Sequence, residues 1–500
     1  MNNESYDVIV VGAGNAALCA ALSAREHGAN VLVLERAPQE QRGGNSAYSG
    51  GGMRIVHHGV EDIKKLVPDL TAEEIATTDF GVYTSEQFFD DLCRITEYRI
   101  DPDLAEILVH RSTETVQWIR QLGVRFAPMY GAKTFKHEGR FKFSTGSVIA
   151  VVGGGRGLIE AEIKAAEKRG VIIRYNARAT SLLHGRTGVE GVRIIVDSVE
   201  EEIRARAVVL ACGGFEANRE WRTRYLGPGW DLAKVRGTRY NTGDGIRMAL
   251  DIGAQPHGNW SGANACEWDL NAPEYGDIAI GDAYSKHSYY FGIMLNANGV
   301  RFLDEGADVG NSTYAKYGRI ILEQPGQFAW QVFDSKVLHL LRSSYRIKKV
   351  TKVTANTIDE LAGKLEGVNK EQALKTIKEY NAAIKRDVPF NPNVKDGRGT
   401  TGLAIPKSNW ANIIDTPPFE AYGVTCGITF TYGGPKITPK AAVVDIEDKP
   451  IPGLYAAGEI VGGIFYFNIP GGCGLMNGAV FGRVAGENAA QYARSGRSVS

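Results

Sequence analysis

The sequence lacks the cysteine patterns that hold metal ions or cross-link small folds. Its six cysteines lie scattered over 500 residues, without a Cys-x-x-Cys spacing. This scatter argues against a compact zinc, iron–sulfur or c-type haem site, so we expect no metal site. It also provides no disulfide framework, which is typical of proteins of the reducing cytoplasm. We therefore predict a cytoplasmic protein.

An excess of charge of one sign is missing as well. Lys and Arg together number 57, as do Asp and Glu, so the formal net charge is zero. A neutral chain argues against a nucleic acid or an anionic membrane as a partner. No apolar run approaches the roughly 18–20 residues that span a bilayer, so we expect no membrane-spanning segment. The start of the chain has no basic segment ahead of an apolar one, so we expect no secretory signal either.

Glycine, by contrast, is abundant. The chain has 60 glycines among its 500 residues, well above the usual ~7%. They occur in clusters, which indicates backbone packed against a large cofactor rather than disorder.

The chain is longer than one hydrophobic core usually supports, so we expect two domains.

The first glycine cluster follows directly after a strand. Residues 6–11 (YDVIVV) are typical of a buried parallel strand. Gly12 then allows a tight turn, Gly14 lets a pyrophosphate approach a helix N-terminus, and Ala17 permits close packing of helix on strand. The next strand (VLVL) ends at Glu35, at the spacing where a carboxylate binds ribose hydroxyls. The segment predicts a dinucleotide site, with a purely structural glycine turn as the alternative.

Further glycine clusters favour a flavin as the dinucleotide. Residues 42–52 (RGGNSAYSGGG) form a loop that a flavin would pass, and residues 470–479 (PGGCGLMNGA) open a C-terminal helix. A helix N-terminus beneath a flavin stabilises negative charge on the reduced ring. Residues 151–157 (VVGGGRG) also precede a helix, but no strand ending in a carboxylate follows at the required spacing. We therefore favour a packing loop there over an NAD(P)H site.

These pieces resemble, in this order, the FAD-binding flavoproteins of the fumarate reductase/succinate dehydrogenase superfamily. The similarity to tricarballylate dehydrogenase is strongest at residues 42–46 (RGGNS), 236–239 (RGTR), 415–419 (DTPPF) and 427–432 (GITFTY). The resemblance implies an α/β fold with a Rossmann-like, discontinuous FAD-binding domain and an inserted α+β capping domain. The implied boundaries are 1–265 for the first part of the FAD-binding domain, 266–430 for the capping domain and 431–500 for the second part.

The resemblance also implies the cofactor contacts. FAD would be bound without a covalent link, because Asn45 stands where covalently flavinylated relatives carry a histidine. The residues implied to contact FAD are Gly12, Ala13, Gly14, Asn15, Ala16, Glu35, Arg36, Gly43, Gly44, Asn45, Ser46, Gly50, Gly51, Gly52, Ala179, Gly213, Asp244, Glu459, Gly474 and Leu475.

Flavoproteins of this kind exchange a hydride with a saturated carbon and need a second group to move a proton on the adjacent carbon. Fumarate reductases use an arginine and ketosteroid dehydrogenases a tyrosine. Counting back from the strand at residues 328–333 puts Tyr314 at the proton-transfer position. A phenol needs nearby positive charge to act as a base near neutral pH, and Lys316 and Arg319 are candidates to supply it. The alternative is that Tyr314 packs under the cap while Tyr317 faces the substrate.

The substrate contacts differ from those of fumarate reductases. The histidine and arginine that hold a carboxylate there are replaced by Phe430 and Ile469. The best candidate for an anion contact is Arg239, beside Tyr240, with a buried structural arginine as the alternative. Tyr432, Tyr466 and Asn468 would line the substrate pocket, and the Gly472 region could polarise a carbonyl. The other cationic candidates are Arg54, Arg236, Lys286 and His287.

The predicted function is that of an FAD-dependent oxidoreductase that interconverts CH–CH and C=C next to a carboxylate or carbonyl, similar to tricarballylate dehydrogenase. Dehydrogenation is favoured over reduction. With no haem or cluster motif, electrons from the small-molecule substrate would leave to a separate acceptor, a quinone-linked protein or oxygen. The alternatives are a ketosteroid-dehydrogenase-like enzyme, an ene-reductase, an oxygen-using enzyme similar to a monooxygenase, and a flavin electron-transfer subunit without its own substrate.

Overall fold

The computed structural model describes residues 6–495, without the side chain of Asn311. The outermost residues of the predicted FAD-binding domain, 1–5 and 496–500, lie outside this range. Within it, the chain forms helices and strands that alternate along its length. The helices are α1 (Asn15–Glu26), α2 (Val60–Leu66), α3 (Ala72–Thr77), α4 (Ser85–Ile95), α5 (Pro102–Gln121), α6 (Gly154–Lys168), α7 (Arg219–Trp221), α8 (Asp244–Asp251), α9 (Gly310–Leu322), α10 (Ile358–Lys364), α11 (Lys370–Ala383) and α12 (Cys473–Arg494). The strands are β1 (Tyr6–Val11), β2 (Val31–Leu34), β3 (Gly52–Met53), β4 (Thr78–Asp79), β5 (Phe126–Pro128), β6 (Phe141–Lys142), β7 (Ile149–Val151), β8 (Ile172–Arg174), β9 (Arg178–Gly185), β10 (Gly188–Val196), β11 (Val199–Leu210), β12 (Lys234–Val235), β13 (Pro256–Asp269), β14 (Ile293–Leu295), β15 (Phe328–Phe333), β16 (Lys352–Ala355), β17 (Phe419–Pro435), β18 (Ala442–Val444) and β19 (Pro450–Ala456).

The first large sheet carries the dinucleotide fingerprint. Its strand order is β18-β19-β11-β1-β2-β8, and β10 joins it through β11 and in turn pairs with β9. The central pairs of β1 with β11 and with β2 are parallel, with Val8 opposite Ala207 and Val31. These strands are apolar throughout and buried, as expected for a parallel sheet covered on both faces.

Helices α1 and α12, from the two ends of the chain, pack against each other over this sheet. Glycines make the close approach possible, because a Cβ added at Gly482 would lie 2.3 Å from the Ala16 carbonyl oxygen, and one at Gly486 would lie 2.1 Å from that of Ala20. Each helix begins at a glycine loop, and both loops face the site described below.

The second large sheet is mainly antiparallel. Its order is β12-β17-β15-β14, and β13 and β16 also pair with the long strand β17. Helix α9 lies against β13, where a Cβ at Gly318 would meet the Ala265 backbone at 2.5 Å. Two hydrophobic clusters, one around Tyr345 and Trp410 and one around Leu361 and Ile377, form a core separate from that of the first sheet.

The predicted α/β class with a Rossmann-like FAD-binding fold is confirmed, and its sheets mix parallel and antiparallel pairs. The domain boundaries at residues 265 and 430 stay a prediction. No helix among the described residues is both long and apolar enough to cross a membrane.

Candidate active site

The dinucleotide fingerprint lines an elongated cavity at the carboxyl ends of β1 and β2. Gly12 has a φ of +106° and approaches β11 so closely that a Cβ there would lie 2.5 Å from the Ala211 carbonyl oxygen. Only glycine fits this turn. The residues of this first cavity that were predicted to contact the cofactor are Gly12, Ala13, Gly14, Asn15, Ala16, Glu35, Arg36, Gly44, Asn45, Ser46, Ala179, Gly213, Asp244 and Glu459.

Glu35 and Arg36 are fixed at one end of the first cavity. The Glu35 carboxylate accepts hydrogen bonds from the backbone N–H groups of Ala13, at 3.0 Å, and Ala37, at 2.8 Å. Burial raises the pKa of Glu35, and these two hydrogen bonds oppose the rise. Arg36 donates to the Asp244 carboxylate at 2.8 Å. These contacts orient both side chains before any cofactor binds.

A second cavity of about 830 Å³ continues from the first. The two share Asn15, Ala16, Asn45, Ser46 and Glu459. The second cavity is also lined by the remaining cofactor candidates, apart from Gly43, which packs beneath its loop against Ile159. These candidates are Gly50, Gly51, Gly52, Gly474 and Leu475.

The joined cavities suit a long dinucleotide such as FAD. The N-terminus of α1 lies at the first cavity and that of α12 at the second, so each end offers backbone N–H groups to an anionic or polar group. Glycines form much of the wall, where side chains would fill the space. The side-chain Oδ1 of Asn477 is buried at the second cavity, and no hydrogen-bond partner for it occurs among the described residues. The donors and the shape therefore fit the cofactor.

Asn45 connects the cofactor loop to strand β17 and to the segments that follow β11 and β12. Its Nδ2 donates to Glu216 Oε1 and to the Thr429 carbonyl oxygen, both at 2.6 Å, and its Oδ1 accepts from the Thr238 N–H at 2.9 Å. Glu216 itself is buried beside Glu459, and burial raises the pKa of both carboxyl groups. Sequence reasoning missed Glu216, which lies in a glycine-rich turn that has no charge pattern of its own.

Tyr314, from α9, lines the second cavity. Burial raises the pKa of its phenol to about 12, while the nearby Arg236 guanidinium and a hydrogen bond with the Asn264 side chain oppose the rise. Arg236 is held in place by Asp282, to whose Oδ1 its Nε donates at 2.8 Å, and it also donates to Thr429 Oγ1 at 3.1 Å. Tyr314 is therefore a protonated phenol beside a fixed cation.

His287 and Glu267 form a buried pair next to Tyr314. The imidazole edge meets the Tyr314 ring with centroids 5.1 Å apart and planes at 83°, and His287 Nδ1 lies 3.1 Å from Glu267 Oε2. Burial and the surrounding cations Arg342 and Arg236 lower the pKa of His287 well below its usual value. Burial raises the pKa of Glu267 well above its usual value. The pair fixes the orientation of the imidazole against the phenol.

Two residues predicted to activate Tyr314 lie elsewhere. Lys316 is exposed and lies over the Tyr317 ring, and Arg319 pairs with Glu323 at 3.3 Å on the helix surface. The prediction failed because residues two and five positions along a helix are rotated by about 200° and 140°, away from the face that carries Tyr314. Arg236 is the cation that acts on Tyr314 instead.

Tyr317 lies away from the second cavity, in the cluster around Tyr345, and donates to the Asp304 carbonyl oxygen at 2.6 Å. It is thus Tyr314, and not Tyr317, that faces the cavity.

Most predicted substrate residues also lie outside the second cavity. Arg239 is exposed and covers the Tyr275 ring at 5.0 Å, and Tyr240 lines the first cavity. Tyr432 is buried behind Phe430, with ring centroids 5.5 Å apart. The Asn468 amide donates to the Ser312 carbonyl oxygen, and neighbouring Tyr466 lies beside it, outside the second cavity.

Gly472 is the exception, because it lines the second cavity. Two other cationic candidates are structural. Lys286 donates to the carbonyl oxygens of Ala283, Tyr284 and Ser344, and Arg54 donates to Gly471 and Tyr83.

Comparison with known proteins agrees with this geometry. The FAD binding domain family matches residues 7–475. The probable fumarate reductase Ifc3 of Shewanella frigidimarina is 31% identical over 516 residues, which cover 98% of this chain and 76% of that protein. Vinyl phenol reductase of Lactiplantibacillus plantarum is 28% identical, with 100% of this chain and 99% of that protein covered.

Among solved structures, the open conformation of a flavocytochrome c3 fumarate reductase matches with a TM-score of 0.72 at 28% identity, over 98% of this chain and 79% of that chain. Together with the cavities and the glycine loops, these matches establish the cofactor as FAD. The chain belongs to the FAD-binding family of fumarate reductase/succinate dehydrogenase flavoproteins and is an FAD-dependent oxidoreductase acting on CH–CH donors.

Proposed function

We propose that this enzyme interconverts a CH–CH and a C=C bond next to a carboxylate or carbonyl, with Tyr314 as the group that moves the proton. The observation that carries the proposal is that Tyr314 lines the cavity that also contains the glycine loops 50–52 and 472–474. A substrate between them contacts the phenol on one side and the cofactor region on the other.

FAD, when bound, supplies hydride exchange with one of the two reacting carbons. The chain's own residues supply the proton step on the other carbon. Arg236 favours the phenolate, Asn264 hydrogen-bonds to the phenol oxygen, and the His287–Glu267 pair holds the ring in place.

For the substrate we propose an anionic acid of the tricarballylate type, oxidised at a saturated carbon pair. The cations around the second cavity support this choice, and they disfavour a steroid, which needs an apolar wall. The electrons would pass to a separate acceptor, a quinone-linked protein or oxygen. We propose a cytoplasmic location, which the six free thiols of the chain support.

Reduction of an activated C=C bond is a second candidate, because one observation favours it. With a pKa of about 12, Tyr314 is protonated at neutral pH and is ready to donate a proton. In the dehydrogenation direction the same phenol has to lose its proton first. The two relatives described above also bear the names of reductases.

Anaerobic half-reactions test the proposal. The oxidised, FAD-loaded protein is mixed with saturated tricarboxylates, dicarboxylates or cyclic ketones, and the dye-reduced protein with the matching unsaturated compounds, while the flavin absorbance is followed. We expect one acid class to react. Tyr314→Phe should slow that reaction about a hundredfold or more, because the proton step loses its acid or base.

Tyr317→Phe is the matched control, since it removes a phenol from the same helix at a position outside the second cavity. We expect it to retain the wild-type rate. Equal rates for Tyr314→Phe and the wild type would refute the role of Tyr314. A flavin that reacts with no compound in either direction would instead support an electron-transfer subunit.

A further inference from the structure

The wall of the second cavity carries more positive than negative charge. Its cationic lining residues are Lys133, Arg156, Arg236, Arg342 and Arg346, whereas its only carboxylates among the described residues are Asp282 and Glu459. Buried or half-buried cations that face one another without counter-charge are costly unless an anion joins them. The excess therefore indicates a bound anion.

Two of the five cations are already neutralised. Arg236 is paired with Asp282, and Arg156 pairs at the surface with Glu160 at 2.9 Å. Arg346 is exposed at the rim and donates to the Leu338 carbonyl oxygen. Lys133 and Arg342 remain as the two inner cations, and neither takes part in an ion pair between described residues.

Lys133 belongs to a loop after β5 that is held firmly. Its N–H donates to the Met129 carbonyl oxygen at 3.0 Å, and the neighbouring Phe135 N–H donates to Asn393 Oδ1 at 2.8 Å. Burial lowers the pKa of Lys133 well below its usual value, and the positive charge of Arg342 is the next largest cause of that lowering. Lys133 and Arg342 line the same cavity, and an anion bound between them would favour the charged form of Lys133.

Arg342 enters that space from a different segment. Its backbone N–H donates to Ser288 Oγ at 3.1 Å. The nearby residues Leu341 and Ser344 are buried. The side-chain Nε of Arg342 is buried, and within the described part of the chain it has no hydrogen-bond partner. A buried guanidinium N–H without an acceptor suits a carboxylate, which can take two parallel hydrogen bonds from arginine.

Another part of the cavity is apolar where Phe430 and Ile469 line it. These are the positions where the sequence lacks the carboxylate-binding histidine and arginine of fumarate reductases. An anionic substrate in this cavity therefore has to find its positive partners on the side of Lys133 and Arg342.

We propose that Lys133 and Arg342 form a carboxylate subsite that selects polycarboxylate substrates, holding a carboxylate other than the one beside the reacting bond. This inference rests on the proposed function in one respect, namely that the substrate binds in this cavity. The affinity of the subsite for a carboxylate is independent of whether any redox reaction follows.

The test compares two unreactive probes on the FAD-loaded protein by isothermal titration calorimetry. Citrate has three carboxylates and no hydrogen on its central carbon, so it cannot be desaturated there. The dicarboxylate 3-hydroxy-3-methylglutarate differs from citrate only by a methyl group in place of the central carboxylate. We expect the wild type to prefer citrate by about ten- to a hundredfold, the range for hydrogen bonds between charged groups.

Lys133→Met and Arg342→Met should each remove most of that preference and leave the affinity for 3-hydroxy-3-methylglutarate within about threefold. Lys133→Arg should retain it. Lys316→Met is the matched control, because it removes the same charge from an exposed position outside the cavity, and it should behave as the wild type.

Equal binding of the two probes by the wild type would overturn the proposal, as would equal weakening of both probes in the two methionine variants. Retained flavin absorbance verifies that each variant is folded, and if one methionine variant fails to bind FAD, the other methionine variant decides the matter. If the citrate preference depends on Lys133 and Arg342 but no acid reacts with the flavin, the subsite stands and the proposed function falls.

Discussion

Two features of the second cavity shift the pKa of the Tyr314 phenol in opposite directions. Burial raises the pKa of Tyr314 to about 12, and Arg236 opposes the rise. Dehydrogenation needs the deprotonated phenol and reduction needs the protonated one. The same pKa therefore gives the two rates different pH dependences.

The pH dependence of the half-reactions follows from that pKa. In dehydrogenation the phenolate is the active form, so below about pH 12 the rate should rise about tenfold per pH unit. In reduction the protonated phenol is active, so the rate should stay flat between about pH 6 and about pH 9. Stopped-flow absorbance of the flavin measures both, and Tyr314→Phe should remove the slope. A flat oxidative profile in the wild type would contradict the assignment of Tyr314 as the base.

At the scale of elements, the N-terminus of α12 depends on one glycine. Gly472 has a φ of +89°, and a Cβ there would lie 2.8 Å from the backbone nitrogen of Arg54. Gly253, which follows α8, has the same φ of +89° with nothing within 4 Å of an added Cβ. An alanine would bring the same backbone strain at both positions. Only at Gly472 would its Cβ also collide with a neighbouring backbone atom.

Alanine substitutions separate these two effects. Gly253→Ala should lower the free energy of unfolding by about 1–2 kcal/mol, the cost of a left-handed residue with a Cβ. Gly472→Ala should cost more and should also reduce the FAD content, since α12 and its loop have to move away from the Arg54 backbone, just after β3. Denaturant unfolding and the ratio of flavin to protein absorbance measure the two effects. Similar losses in both variants would show that the contact at Gly472 is unimportant.

The elements also show what could be predicted from the sequence. The dinucleotide fingerprint is local, since strand, turn and helix follow one another without a break, and its residues line the first cavity. Lys133 and Arg342 come from loops that are far apart in the chain and have no periodic pattern, so only the fold brings them together. Lys316 failed because nearness in sequence does not mean a shared helix face.

The substrate residues failed for a related reason. Tyr432 follows Phe430 on β17 but packs as a second layer behind it, and Arg239 turns outward after a loop whose Arg236 turns inward. Which member of a run of polar residues faces a cavity depends on the backbone path of irregular segments, and composition does not determine that path.

At the scale of the whole molecule, the cofactor site lies where the two large sheets meet. Asn45 bonds to Thr429 of the second sheet and faces both cavities. A ligand that binds only the folded state stabilises it in proportion to its affinity. We therefore expect bound FAD to stabilise the packing of the two large sheets against each other.

Removing FAD should reveal this contribution. Because no covalent link is expected at Asn45, acid precipitation should release all the flavin into the supernatant. The apoprotein should be less stable by about 4 kcal/mol relative to the protein with FAD at a thousand times its dissociation constant. Thermal unfolding followed by circular dichroism, with and without added FAD, measures the difference. Flavin that stays with the precipitate, or equal melting temperatures, would contradict the expectation.

The packing of α1 on α12 has a consequence for how the enzyme is made. The two cavities that fit the cofactor are lined by Gly12 near the start of the chain and Gly474 near its end, and α1 and α12 pack closely through Gly482 and Gly486. While the ribosome is still translating the central residues, the nascent first sheet has neither its last strands nor its covering helix. We therefore expect flavin to bind only after synthesis has passed Leu475, which would make cofactor loading a late step of biogenesis and leave a chain stalled before that point colourless.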